Sequence, residues 1–277
     1  MADRSPGSGR ADRRRVRRAL RRAATPALAT ALVVVLTFLM LPIVAIFVAV
    51  GPDELLAALG RDVVVDALWV SVKSSMIAQI FVLVIGTPAA YLIARGVPLR
   101  SVVVGLIEVP LVLPPAVAGL GLLFTFGSQG LLGGVVEAAG LRIPLTQVAV
   151  ILAVTFVSSP FYIRAAIGAF EGVDRALVDA ARTLGAGPVR VFRRVVLPLA
   201  AGGLAAGATL ALARGLGEFG ATIVFAGSLQ GTTETLPLAV YGELDRDPSA
   251  ALAIGAVLIV ASASILIGSK LVVQWRR

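Results

Sequence analysis

The chain has 277 residues, 58% of them hydrophobic, with 25 Lys and Arg against 16 Asp and Glu, and it contains neither cysteine nor histidine. A mean hydropathy of +0.94 is more apolar surface than a soluble fold of this length can hide, so a bilayer is the solvent for most of the chain. Disulfides, thiolate nucleophiles, haem ligation through histidine and the common zinc sites are excluded by composition alone.

Residues 1–24 are rich in Gly, Ser and Arg and carry nine basic residues between Arg4 and Arg22. They are expected to form a disordered cytoplasmic tail that touches anionic lipid. No aromatic residue interleaves with the arginines, so nucleic acid is not an expected partner. Pro26 to Val50 is long enough to span a bilayer, longer than the apolar core of a secretory signal, and is read as an uncleaved first transmembrane helix bent near Pro42.

The acidic stretch 51–66, with Asp53, Glu54, Asp62 and Asp66 beside one Arg61, suits the outer face. A second span is predicted over Ala67–Ala94, containing Lys73 and Gln79, then a basic turn from Arg95 to Arg100. A third runs over Ser101–Phe126, with Glu108 and Pro110, Pro114 and Pro115, before a glycine-rich outer loop from Gly127 to Thr146. The fourth is predicted over Gln147–Tyr162, shortened by Pro160, and a long cytoplasmic segment follows from Arg164 to Pro198. Leu199–Ala226 is the fifth span, Gly227–Pro248 an outer loop, and Ser249–Val273 the sixth span, with Trp275 as an interfacial anchor. With the N-terminus inside, 20 of the 25 basic residues fall on cytoplasmic segments and three on outer loops. That bias predicts six transmembrane helices with both termini in the cytoplasm. No second domain is expected, so any ATPase, sensor or binding protein is expected on another chain.

Within the long cytoplasmic segment, residues 174–198 read as two short helices meeting at a glycine. Asp174 suits the N-cap of the first, Gly185 its C-terminal stop, and Gly187 with Pro188 the start of a second that Pro198 ends. Asp179-Ala180-Ala181, three residues, Gly185, nine residues, Val195, one residue, then Leu197-Pro198 resembles the EAA loop of permease subunits of bacterial ABC importers. Asp179 stands where that family usually has Glu, and Val195 where it usually has Ile. The resemblance implies that Asp179, Ala180, Ala181, Gly185, Pro188, Val195, Leu197 and Pro198 couple the permease to a groove on a separate ATPase subunit.

Arg214 and Glu218 are four residues apart at membrane depth, on one helix face, where they can pair. An isolated charge there costs about 2.5–3.5 kcal/mol on insertion scales, so such residues face protein or a wet cavity. A structural tie and a place on a translocation path both remain open. Gly215, Gly217 and Gly220 form a Gly-x-Gly-x-x-Gly string, but it lies inside an apolar span without a preceding strand, which rejects a dinucleotide site. Small residues there, as at Gly203-x-x-x-Gly207, suit close helix approach. Pro110, Pro114 and Pro115 break or bend the third span, and a broken helix with an exposed N-terminus can serve an anion or simply make a kink. The outer threonines Thr232, Thr233 and Thr235 could meet a binding protein or belong to an ordinary solvated loop.

Residues 213–222 with Phe225-Ala226-Gly227, the stretch 233–241, the double proline at 114 and 115, and Ser158-Ser159-Pro160-Phe161-Tyr162 resemble the molybdate-type permeases over roughly residues 64–272. Ser228-Leu229 departs where relatives often have Asn, and sulfate and tungstate permeases share the Gly-Glu-Phe-Gly core. The resemblance implies an all-α integral membrane protein with the type I ABC importer permease fold over residues 25–277. It implies import of a tetrahedral oxyanion, molybdate first, along a path that includes Pro114, Pro115, Arg214, Glu218 and Thr222. It implies as partners a second permease subunit, expected to be an identical copy, ATP-binding ABC subunits, and an extracytoplasmic oxyanion-binding protein. No cofactor is expected in this chain; ATP and magnesium would sit on the partner, and the sequence has no Gly-x4-Gly-Lys-Ser/Thr phosphate loop. The alternatives are an integral membrane enzyme, for which Arg214 and Glu218 are a thin catalytic set, and an ATP-independent carrier, which leaves the cytoplasmic helix pair unexplained.

Overall fold

A computed structural model describes residues 8–275, with side chains placed for Pro26, for residues 28–268 and for Leu271. Residues up to Gly51 and residues from Pro52 form two separate compact units. The first is one helix, α1 (Ser8–Ala49), which passes through Pro26 and Pro42 without ending and holds the apolar stretch Leu28–Ala49. The basic tail expected to lack regular structure lies outside the described residues over positions 1–7, and from Ser8 onward the backbone is helical. Arg276 and Arg277 also lie outside them.

The second unit is entirely helical among the described residues: α2 (Pro52–Leu59), α3 (Asp62–Ala94), α4 (Arg100–Val112), α5 (Pro115–Phe126), α6 (Gly133–Ala138), α7 (Gln147–Glu171), α8 (Arg175–Thr183), α9 (Pro188–Val191), a π-helical turn (Phe192–Val196), α10 (Leu197–Leu216), α11 (Gly220–Phe225), α12 (Leu236–Leu244) and α13 (Pro248–Trp275). Helix is the form that keeps every backbone polar group paired in hydrocarbon. Among the described residues, five helical stretches are long and apolar enough to cross a membrane, and six if α4 and α5 count as one bent span.

α7 lies at the centre of this unit, between α3 and α10. Its contact with α10 is set by glycines. A Cβ on Gly203 would stand 2.5 Å from Ala169 Cβ, one on Gly207 2.7 Å from Ala165 Cβ, and one on Gly215 2.9 Å from Val154 Cγ1. The small-residue stripe read at Gly203 and Gly207 therefore continues to Gly215 and brings the two backbones together. At one end Tyr162, Ala166 and Phe170 of α7 meet Ala90 and Ile93 of α3 and Val191 and Val196. Toward the other end Val64 and Ala67 of α3 pack with Leu236 and Ala239 of α12 and Ile254 and Val257 of α13. The first end carries Arg95, Arg100, Arg175, Arg182, Arg190, Arg193 and Arg194 and is the basic end of the unit.

Four expectations change. Pro160 does not shorten the fourth span: α7 continues through it to Glu171, so Arg164 is helical rather than part of a loop. Proline cannot donate to Phe156 O, but Ser159 Oγ donates to that carbonyl at 3.3 Å and satisfies it. Pro198 likewise does not end the second cytoplasmic helix, because α9, the π turn and α10 follow without interruption. The turn widens there, with Leu197 N–H reaching Phe192 O, and accommodates the proline ring and its missing donor. The fifth span is not one helix over 199–226: it breaks at Gly217 and resumes as α11. Finally, the outer segment 227–248 is not all loop: it contains the nine-residue helix α12, with Leu236, Leu238 and Ala239 buried.

Candidate functional site

The cytoplasmic hairpin predicted at 174–198 is built as its residue types require. Asp174 Oδ1 accepts the Ala176 N–H at 2.9 Å and caps α8. At the other end Ala186 N–H reaches Ala181 O at 3.1 Å and Gly185 N–H reaches Arg182 O at 2.9 Å, the paired bonds of a Schellman stop. Gly185 has φ +80, the left-handed conformation that stop needs. Gly187 caps α9 and Pro188 opens it. Of the predicted coupling residues, Ala181 packs inward with Val178 and Ala186 against the buried cluster that includes Phe170. Asp179 faces solvent and pairs with Arg182 at 3.3 Å. Ala180 is exposed, as are the apolar side chains of Leu177, Leu184 and Val189. Val195 and Leu197 are half-buried in the π turn and the first turn of α10, and Pro198 follows them there. The hairpin is thus fixed to the bundle on one face and shows apolar groups on the other. Between it and the ends of α3 and α7 lies a cleft of about 560 Å³ edged by Arg95, Arg100, Arg175 and Arg182.

The predicted path residues meet at two helix breaks that abut. α4 and α5 join at Leu113 and Pro114 with a bend of 110°. α10 and α11 join at Gly217–Phe219. A Cβ on Gly220 would stand 2.8 Å from Pro115 Cβ, and one on Gly119 2.7 Å from Ala221 O, so α5 rests directly on α11. Glu218 is 2% exposed and spans its own break: Oε1 accepts the Ala221 N–H at 2.8 Å, and Oε2 meets Arg214 Nη1 at 2.7 Å. Arg214 keeps 28% of its side chain accessible. Pro114 and Pro115 are exposed, whereas Thr222, on α11, is fully buried. The structure therefore brings Arg214 and Glu218 together, sets Pro115 against Gly220 at the adjoining break, and buries Thr222 within the fold.

Other polar residues gain partners that spacing could not reveal. Gln79 Nε2 donates to Ala208 O at 3.2 Å. Glu108 pairs with Arg164, from α4 to α7. Lys73 is exposed. Thr233 and Thr235 point inward, buried, with Thr233 Oγ1 accepting the Leu229 N–H at 3.0 Å; of the three outer threonines only Thr232 is exposed. The Gly-x-Gly-x-x-Gly string is the α10–α11 break, with no strand before it.

Among the described residues, no group of three or more acidic side chains is placed to hold a metal ion. Comparison with known proteins assigns the architecture. Residues 83–277 match the family described as binding-protein-dependent transport system inner membrane component. The chain is 43% identical over 237 residues to the molybdenum transport system permease protein ModB of Mycobacterium tuberculosis, covering 84% of this chain and 89% of that one. It is 34% identical over 243 residues to the sulfate transport system permease protein CysW of Escherichia coli, covering 86% and 83%. In fold it resembles a bacterial alginate ABC transporter solved with an alginate pentasaccharide-bound periplasmic protein, with a TM-score of 0.69 at 16% identity over 91% of this chain and 94% of that one. The chain belongs to the binding-protein-dependent transport system inner membrane components, and is a multi-pass permease subunit of the ABC importer kind.

Proposed function

We propose that this permease imports a tetrahedral oxyanion, molybdate first, by alternating access driven by a separate ATPase. The observation that carries the coupling half of the proposal is the hairpin itself. It is capped at both ends, anchored by Ala181 and Ala186, and tipped by exposed Leu184 and Val189 at the basic end. An apolar tip on a rigid, bundle-anchored lever suits a groove on a partner, and Asp179, Ala180, Gly185, Pro188, Val195, Leu197 and Pro198 set its shape. ATP binding and hydrolysis on the partner would move this lever, and α10, continuous with it, would carry the motion to the break at Gly217. The excess of basic residues at this end supports placing it, with both termini, in the cytoplasm.

The abutting breaks supply the substrate half. Arg214 is neutralised on one edge by Glu218 and stays partly accessible on the rest, so an oxyanion can be met by charge-assisted hydrogen bonds without leaving an unpaired cation when it departs. The similarity to a molybdenum permease favours molybdate, and the similarity to a sulfate permease keeps sulfate as the second reading. Tungstate would be carried with molybdate. A second copy of this chain would complete the path. An extracytoplasmic binding protein, as in the alginate transporter neighbour, would deliver the ion. Purification of the tagged chain should recover an ATP-binding subunit, and reconstituted vesicles should take up radiolabelled molybdate only with ATP, with tungstate competing strongly and sulfate weakly. Uptake without ATP, or none of any oxyanion, would overturn the proposal.

A further inference from the structure

α4 is the least embedded of the long helices in its unit. None of its residues is buried; it leans on the core only through half-buried Val103, Val104 and Ile107. Two ion pairs fasten it to α7: Arg100 with Glu171 at the basic end, and Glu108 with Arg164 farther in. Glu108 stands eight residues up α4 and Arg164 seven residues back along α7, so the inner rung lies about 10–12 Å from the outer one at 1.5 Å per residue. With the 25 residues of α7 centred on a hydrocarbon core about 30 Å thick, that depth falls inside the core.

The inner rung is lopsided. Arg164 has 65% of its side chain exposed, Glu108 30%. A guanidinium so open is costly against lipid at this depth and is best met by water or another protein group beside it. Its planar fork offers five donors, of which Glu108 engages one edge, leaving the other free for bidentate contact with a tetrahedral oxyanion. α10 runs along α7 with Gly215 beside Val154 and Ser158, so Arg164 lies about 10 Å nearer the basic end than Arg214.

We propose that Arg164 is a second oxyanion contact, on the inner half of the path, and that Glu108 is the anion it holds when no substrate is present. This rests on the import of an oxyanion proposed above. An arriving ion takes the guanidinium from Glu108. The carboxylate is then left beside a like charge, which favours α4 moving away from α7 about the joint at Leu113 and Pro114. Departure of the ion restores the pair, so Arg164 has an anionic partner whether the path is loaded or empty.

The chain has no cysteine, which makes the test direct. In the full transporter, Arg164→Cys should react with a water-soluble cationic methanethiosulfonate, and the cationic adduct should restore part of the lost uptake while a neutral adduct of similar size should not. Arg164→Gln should lower molybdate uptake about tenfold, the scale of one charge-assisted contact, and Arg164→Lys less. Glu108→Gln should lower uptake less than Arg164→Gln, since the anion contact survives while the resting partner of Arg164 is lost. Membrane levels of each variant are measured alongside. A purely structural tie predicts that Glu108→Gln and Arg164→Gln fall together, and that result overturns the inference, as does an unreactive cysteine at 164. If the wild-type complex carries molybdate and Arg164→Gln carries it equally well, only this inference fails. If the wild-type complex carries no oxyanion, the import assignment fails and takes this with it.

Discussion

Arg214 Nη1 lies 2.7 Å from Glu218 Oε2, one helical turn along and across the end of α10. The same carboxylate caps α11 through Ala221 N–H, so one buried side chain both neutralises a cation and ties two helices over a break. Removing one partner of a fully buried pair costs roughly 3–5 kcal/mol, and the partial exposure of Arg214 places the cost below that range. Arg214→Ala leaves an almost fully buried carboxylate without its cation and should lower the thermal stability of the purified protein most. Glu218→Gln preserves an acceptor for Ala221 and should do less damage than Glu218→Ala. The double variant Arg214→Ala, Glu218→Gln should recover part of the loss in stability but not transport. Equal melting temperatures across the series would mean that the pair does not hold the break.

Gly185 separates backbone strain from steric fit. Its φ of +80 is costly for residues with a Cβ, yet a Cβ added there meets no atom within 4 Å. Gly185→Ala should therefore weaken the Schellman stop by about 1 kcal/mol, Gly185→Val by more, and Gly185→Asn by less, since Asn tolerates the left-handed region. Coupling should follow the same order. The readout is ATP hydrolysis stimulated by loaded binding protein, with insertion into the membrane unchanged. An Asn variant as impaired as the Val variant would point to a lost contact with the partner instead of a distorted turn.

The hairpin was legible in the sequence because every signal in it is local: an Asp at the N-cap, a glycine at the stop, a Gly-Pro start. The spans were legible because hydropathy reports the solvent. What sequence could not supply was pairing between distant helices. Glu108 and Gln79 stood without partners until α7 and α10 were placed beside them. Proline misled twice for one reason. Pro160 and Pro198 are breakers only where nothing else satisfies the freed carbonyl or widens the turn, and a serine and a π turn do so here. The break at Gly217 was missed from the opposite side, since an apolar stretch of helix-compatible length gives no sign that a buried carboxylate will cap a new helix inside it.

The α7–α10 contact should behave as a steric lock. At Gly207 a new Cβ would meet Ala165 Cβ at 2.7 Å, closer than two carbons approach, so the backbones must shift to admit it. Gly207→Val should cost about 1–3 kcal/mol by overpacking. Gly207→Ala should cost less, and Ala165→Gly combined with it should restore stability by removing the opposing methyl. Thermal unfolding in detergent measures the three variants. A tolerated Gly207→Val without the compensating change would show that the helices can separate there.

The outer segment between α11 and α12 should respond to pH through Glu234. Burial pushes its carboxyl above the ordinary value of 4.5, the Ser228 hydroxyl opposes the rise, and the charges of Glu243 and Asp66 add to it. A carboxyl raised in the folded state binds its proton more tightly there than in the unfolded chain. Its stabilising contribution is therefore complete below pH 4.5 and is lost as pH climbs through the folded value. The amides of Thr232, Thr233 and Glu234, all bonded to Leu229 O, report this opening. Their exchange protection, corrected for the intrinsic pH dependence of exchange, should fall as pH rises from about 4.5. Glu234→Gln should flatten the profile at the protected level. Protection that instead rises with pH in the wild-type chain would show that Glu234 is held as a carboxylate in the fold, and would reverse the sign of its contribution.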